Sequence, residues 1–127
     1  ELGCTVLATI GAQASAGLDM KYVLVAPLLA IPKCLKKEGI EIKDVDLFEV
    51  NEAFSGSTVA VIRELGLDID KVNVNGGSVA LGHPIGSSGS RVLITLLHEM
   101  KRRDKKTGLA TLCLGGGEAV ALIVKRP

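Results

Sequence analysis

Asp46-Leu47-Phe48-Glu49-Val50-Asn51-Glu52-Ala53-Phe54-Ser55 is the stretch whose reading decides the fold. Asp46–Val50 reads as a short apolar strand that runs straight into an amide, and a helix follows over about Ser55–Leu65, stopped by Gly66. A strand handing over at once to a helix is the unit of a layered α/β sheet, whose pockets open outside the carboxyl ends of the strands. His83 in Gly-His-Pro and Cys113 in Cys-Leu-Gly fall at the same kind of place. An amide, an imidazole and a thiol arriving there together make a reaction site. No second cysteine is poised to act with them, so the chain reads as an acid/base and oxyanion half whose nucleophile lies elsewhere.

Working outward, Thr5–Ala12 reads as a strand entering a Gly/Ala/Ser-rich stretch that ends near Gly17. A helix lies between Pro27 and Lys37, with either Pro27 or Pro32 in its first turn and Gly39 closing it. Val72–Asn75 is expected as a further strand. The glycine-dense loop from Gly76 to Gly89 comes next, then a helix over about Ser88–Arg103 with an apolar stripe at Val92, Leu93, Leu96, Leu97 and Met100. Leu109–Leu114 and Ala119–Lys125 pair around Gly115-Gly116-Gly117 as a hairpin. The order β-α-β-α-β-α-β-β, with no repeat or linker, gives one α/β layered domain over residues 1–127.

Composition narrows the class. The chain of 127 residues is 47% apolar, yet Tyr22, Phe48 and Phe54 are its only aromatic residues. Such a core is built from Val, Ile, Leu and Ala, as in a largely parallel sheet covered on both faces. The same scarcity removes the stacking platforms of single-stranded nucleic acid binders. Net charge is +1, and the basic cluster Lys101-Arg102-Arg103 with Lys105 and Lys106 falls where a helix should end. Cations there offset the helix dipole; a nucleotide phosphate contact is the alternative. Cys4, Cys34 and Cys113 are odd in number and widely spaced, which gives neither a disulfide framework nor a zinc pattern and makes a reducing cytoplasm the default. No apolar run is long enough for a membrane span. A chain that begins Glu1-Leu2 reads as a cleavage product, an expressed piece or one domain of a longer protein.

The glycine-rich loop lacks a Gly-Lys-Ser/Thr pair, and no Gly-x-Gly-x-x-Gly follows the first strand, so neither phosphate fingerprint applies. So much glycine still implies a close approach of backbone to a ligand or to other backbone. Ser87 and Ser88 are candidates to cap the following helix. His83, held between Gly82 and Pro84, can move a proton near neutral pH or donate to an oxyanion; an ordinary polar loop residue is the plain alternative. His98 sits on a helix with arginine at position 102, so no His-Glu-x-x-His site forms and it reads as surface. Cys34 reads as inert core. Cys113 stands at the mouth of a glycine turn, where the N–H groups of Gly115 and Gly116 can share its space, and its chemistry needs a pKa lowered by a partner such as His83. Cys4 precedes Thr5-Val6-Leu7 with no turn or helix start to activate it. Asn51 can hold a water or a carbonyl, while Asn51 or Glu52 capping the next helix is the structural alternative.

Asn51-Glu52-Ala53-Phe54, then Asn75-Gly76-Gly77 leading through Gly82-His83-Pro84-Ile85-Gly86 to Gly89, then Cys113-Leu114-Gly115-Gly116-Gly117 together closely resemble the C-terminal half of the thiolases, and within them the acetyl-CoA acetyltransferase branch. The resemblance covers nearly the whole chain in order and spacing. Related ketoacyl synthases carry histidine at the Asn51 position and lack the thiol at Cys113. The resemblance implies a thiolase-like βαβαβαββ half with a mixed, mostly parallel five-stranded sheet, packed against a similar N-terminal half that carries the nucleophilic cysteine.

It also implies roles. His83 would deprotonate that cysteine and then stabilise the enolate of the second thioester, with a water held by Asn51 completing the oxyanion hole. Cys113 would take the α-proton of acetyl-CoA and return it in reverse, and the Gly115 N–H would meet the tetrahedral intermediate. Ala53 and Phe54 would line the pantetheine channel. The implied reaction is the reversible Claisen condensation of two acetyl-CoA to acetoacetyl-CoA and CoA, with coenzyme A thioesters as substrates and no other cofactor. This chain alone would be inactive, would self-associate through the surface meant for its partner half, and would belong to a cytoplasmic homo-oligomer. A non-catalytic acyl-CoA-binding or scaffold module of the same architecture, and a ketoacyl synthase-like condensing enzyme, are the alternatives.

Overall fold

In the computed structural model, which describes residues 3–127, every residue of the strand Leu47–Val50 is buried and successive side chains turn to opposite faces. Leu47 joins Val92, Leu96, Met100, Ala110 and Val124 in one apolar cluster. Phe48 and Val50 join Ile31, Val61, Leu109 and Ile123 in another. The sheet is therefore the middle of three layers. In chain order the elements are β1 (Thr9–Gly17), α1 (Pro27–Glu38), β2 (Leu47–Val50), α2 (Ser55–Leu65), α3 (Ser78–Leu81), α4 (Ser88–Arg102), β3 (Thr107–Leu114) and β4 (Glu118–Lys125), with short 3-10 turns between some of them. Helices α1 and α2 pack on one face and α4 on the other. Ile31, Phe48, Leu96, Leu109 and Ile123 are fully buried, each stabilising the fold by about 1.5–3 kcal/mol. Glu1 and Leu2, the start of the expected domain, lie outside the described residues. Among the described residues no helix is long and apolar enough to cross a membrane.

The strand order is β1-β4-β3-β2, and two expectations for the sheet fail. Among the described residues the sheet has four strands rather than five, and it is mixed but not mostly parallel: β2–β3 is parallel, while β1–β4 and β3–β4 are antiparallel. The missing strand is Val72–Asn75. Val72 makes a single parallel bridge to Phe48, after which Asn73 turns into the left-handed region (φ 48°). Its amide takes over the ladder: Asn73 N–H donates to the Phe48 carbonyl at 2.9 Å, Val50 N–H donates to Asn73 Oδ1 at 2.8 Å, and Asn73 Nδ2 donates to the Val50 carbonyl at 2.8 Å. A side chain thus supplies the hydrogen bonds that a fifth strand would have made.

The first strand runs over Thr9–Gly17 instead of Thr5–Ala12. Ala12, Ala14 and Ala16 alternate toward α1, and such small side chains let the helix approach until Cys34 Sγ lies 3.2 Å from the Ala12 carbonyl. The outer edge of β1 is blunted by α1, whose Lys33 and Lys37 donate to the carbonyls of Ser15 and Gln13. Pro27 opens α1; Pro32 lies inside it with its ring exposed, forgoing one N–H bond to the Leu28 carbonyl. Gly39 (φ 74°) and Gly66 (φ 62°) end α1 and α2 in the left-handed conformation their positions suggested. The hairpin β3–β4 forms as expected.

Candidate active site

The site is built where β2 and β3 end. In their parallel register Val50 lies opposite Thr111, and Asn51 continues the ladder by donating its N–H to the Thr111 carbonyl at 3.0 Å. Asn51 is thereby fixed one step past β2, beside the stretch of β3 that reaches Cys113. It is buried, at 5% exposure. Its Oδ1 accepts from Ser78 Oγ at 2.6 Å and from Arg91 Nη2 at 3.5 Å, and the same Nη2 donates to Ser78 Oγ at 3.2 Å. Alternation puts Leu47, Glu49 and Asn51 on the face that α4 covers. Arg91 of α4 therefore meets Glu49 as well, with Nη1 3.8 Å from Oε2. Burial raises the Glu49 pKa to about 7; Arg91 pulls it down, and the charges of Glu52 and Glu99 add to the rise.

His83 is exposed on the segment between α3 and α4. Its Nδ1 lies 2.6 Å from Ser88 Oγ, which also lies 3.1 Å from the Pro84 carbonyl. A carbonyl only accepts, and a hydroxyl has one hydrogen. Both contacts hold together when Ser88 donates to Pro84 and His83 donates its Nδ1 hydrogen to Ser88. That tautomer leaves Nε2 as the basic end of the ring. Ser88 is thus not the expected cap, and Ser87, which occupies the cap position, makes no side-chain cap bond.

Cys113 is half-buried near the end of β3, opposite Ala119. Burial pushes its thiol pKa up, and a hydrogen bond from its own backbone only partly offsets this. Among the described residues no hydrogen bond joins it to His83, so the lowered thiol pKa expected from such a pair is not found. In the turn that follows, a Cβ on Gly117 (φ 90°) would lie 2.3 Å from the Leu18 carbonyl oxygen, whereas one on Gly115 would meet nothing within 4 Å. Glycine at 117 is demanded from within. At 115 it is not.

Ala53 is half-buried, its N–H donating to the Asn51 carbonyl at 3.0 Å, and Phe54 is 66% exposed. Glu52 does not cap α2. Its carboxylate accepts from Val79 N–H at 3.0 Å and from Asn73 Nδ2 at 3.4 Å, fastening the glycine-rich segment beneath the site. His98 is exposed and Cys34 buried, as their surroundings in the sequence suggested; Cys4 is exposed. Among the described residues no cluster of His, Cys, Asp and Glu could hold a metal ion. Sequence reasoning missed Ser78, Arg91 and Glu49. Glu49 carried a signal: a carboxylate inside a strand otherwise made of Leu47, Phe48 and Val50.

The model of the family described as thiolase, C-terminal domain, matches residues 4–126. The chain belongs to this family. Acetyl-CoA acetyltransferase of Pseudomonas aeruginosa is 57% identical to this thiolase domain over 125 residues, which are 98% of the chain and 32% of that protein. The protein of the same name from Thiocystis violacea is 55% identical over 126 residues, 99% of the chain and 32% of its own length. Among solved structures, the Bacillus anthracis acetyl-CoA acetyltransferase matches with a TM-score of 0.96 at 47% identity, over 98% of the chain and 32% of that structure. Human mitochondrial 3-ketoacyl-CoA thiolase in complex with CoA matches with a TM-score of 0.94 at 47% identity, over 97% and 31%. The thiolase domain thus spans about a third of the length of the relatives it matches.

Proposed function

We propose that this thiolase domain is the C-terminal catalytic half of an acetyl-CoA C-acetyltransferase, which reversibly condenses two acetyl-CoA to acetoacetyl-CoA and CoA. The substrates are coenzyme A thioesters, and the reaction needs no further cofactor. The observation that carries this reading is the placement of Asn51 and Cys113 at the carboxyl ends of adjacent parallel strands, with His83 tethered to the first turn of α4, from which Arg91 reaches Asn51. The printed names of the relatives support acetyl as the acyl group.

In this reading His83 Nε2 takes the proton of an acyl-accepting cysteine on an N-terminal half, and later donates to the oxygen of the second thioester. Asn51 holds the water that completes that oxyanion hole. Cys113, as thiolate, takes the α-proton of acetyl-CoA. The resulting carbanion attacks the acyl carbon on the other cysteine, forming the C–C bond as the C–S bond breaks and its electron pair leaves with sulfur. Gly115 N–H stabilises the tetrahedral oxyanion, where one donor is worth about 3–4 kcal/mol. In the cleavage direction Cys113 returns the proton, a task that suits the neutral thiol favoured by its burial. The exposed ring of Phe54, with Ala53, lines the pantetheine channel.

The N-terminal half would stack on the sheet face that α4 leaves open. A cavity of about 560 Å³ lies there, lined by Val92 and Leu93 of α4 and by Ala110, Leu112, Val120 and Leu122 of the sheet. The whole enzyme is a cytoplasmic homo-oligomer, and the domain alone is inactive and self-associates through that face. Thiolysis of acetoacetyl-CoA by the full-length enzyme tests the reading. His83→Ala and Cys113→Ala should each lower kcat about 10²–10⁴-fold without altering the circular dichroism or the melting temperature. Near-normal turnover by either variant overturns the assignment.

A further inference from the structure

The contacts around Asn51 have a direction. Arg91 carries only donors, so its Nη2 takes one of the two acceptor positions of Ser78 Oγ, at 3.2 Å. Ser78 Oγ donates its single hydroxyl hydrogen to Asn51 Oδ1, 2.6 Å away. Arg91 itself approaches the same atom at 3.5 Å. Two donors converge on one end of the amide, and that end is the oxygen.

The guanidinium is in turn anchored from within the sheet. Glu49, with its side chain 3% exposed, sets its Oε2 3.8 Å from Arg91 Nη1. Among the described residues Glu49 Oε2, Arg91 Nε and Arg91 Nη1 are buried with no hydrogen-bond partner. A buried carboxyl and guanidinium left under-bonded in this way are weak evidence of a purely stabilising role.

The geometry points to Arg91 as a positioning residue, acting through Ser78 and anchored by Glu49, that locks the Asn51 amide with its oxygen inward and its two Nδ2 hydrogens toward the reacting thioester. The inference rests on the functional reading above, which gives Asn51 a water to hold. It adds that the water is gripped by a donor of fixed orientation. A freely flipping amide would present its oxygen, the wrong polarity for an oxyanion hole, for part of the time.

The test is a pair of double-mutant cycles on thiolysis by the full-length enzyme, crossing Ser78→Ala and Arg91→Lys with Asn51→Ala. Each single change should lower kcat roughly ten- to a hundredfold while KM moves less than about threefold. In the Asn51→Ala background the same changes should cost less than about twofold. Losses that multiply in that background overturn the proposal, because Arg91 would then act independently of Asn51. Should Arg91→Lys fail to fold, Ser78→Ala, which removes one hydroxyl, carries the cycle alone. If Asn51→Ala itself keeps normal activity, the functional role of Asn51 fails instead. The orientation is then decided by neutron diffraction of the full-length enzyme: deuterons on the amide end facing away from Arg91 uphold the lock, and deuterons facing Arg91 overturn it.

Discussion

Ser88 and Arg91 stand one turn apart on α4, and each holds a different member of the site. Ser88 receives the Nδ1 hydrogen of His83, and Arg91 reaches the Oδ1 of Asn51. Residues three apart on a helix share a face, so a single turn registers the imidazole against the amide. The apolar stripe of the same helix, through Val92, Leu96 and Met100, seats that turn on the sheet.

Ser88→Ala should therefore act on His83 without touching substrate. With the Nδ1 partner gone, the imidazole samples both tautomers and more than one orientation. Turnover by the full-length enzyme is expected to fall roughly ten- to a hundredfold, with a displaced pH profile of kcat. Ser88→Thr, which keeps the hydroxyl, should restore most of it. An unchanged profile in Ser88→Ala would reduce this hydrogen bond to ordinary packing.

Glu49 gives the fold a pH dependence of definite sign. Its ordinary value is 4.5 and its folded value about 7, so between them the folded state keeps a proton that the unfolded chain has released. Stability from this group is complete below 4.5 and is lost as pH rises through 7. Thermal unfolding of the full-length protein should show a downward slope across that window, flattened in Glu49→Gln. Glu99 does not blur the measurement. Its hydrogen bond from Arg102, with further ones from Asn75 and Arg103, holds its pKa down to about 2, so its contribution is lost only as pH falls below 4.5 and through 2.

The glycine turn separates fold from chemistry. Gly117→Ala forces a Cβ against the Leu18 carbonyl at positive φ and should cost at least about 2 kcal/mol of stability. Gly115→Ala meets open space and should leave the melting temperature nearly unchanged, within about 0.5 kcal/mol. Its effect is expected in kcat, through obstruction of the approach to the Gly115 N–H. Full activity in Gly115→Ala would remove that N–H from the mechanism.

Asn73→Ala should cost roughly 2–4 kcal/mol. It strips partners from both backbone groups of Val50 and puts alanine at a left-handed position. Asn73→Gly relieves the second penalty but not the first, so its melting temperature should fall between alanine and wild type. Equal losses for the two variants would show that backbone conformation contributes nothing.

How far the sequence could be read depended on whether backbone or side chain made the hydrogen bonds. Gly39 and Gly66, the helix over 88–102 and the hairpin around Gly115–Gly117 all followed from local rules of capping, period and turn. Val72–Asn75 has the composition of a strand, and no local rule shows that the amide of Asn73 replaces one. The first strand slid toward Gly17 because its alanines are selected by the nearness of α1, a tertiary demand that strand propensity does not register. Asn51, His83 and Cys113 were visible as polar residues at strand ends or in a glycine loop. Arg91 was not, because on its own helix it reads as an ordinary polar position beside Val92.

The amide of Asn73 also decides how this domain can grow. With that side chain seated on Val50, and with Lys33 and Lys37 seated on two carbonyls of β1, each margin of the sheet is occupied in part by side chains of its own chain. A further strand would have to displace them before it could pair. Stacking on the faces of the sheet meets no such obstacle.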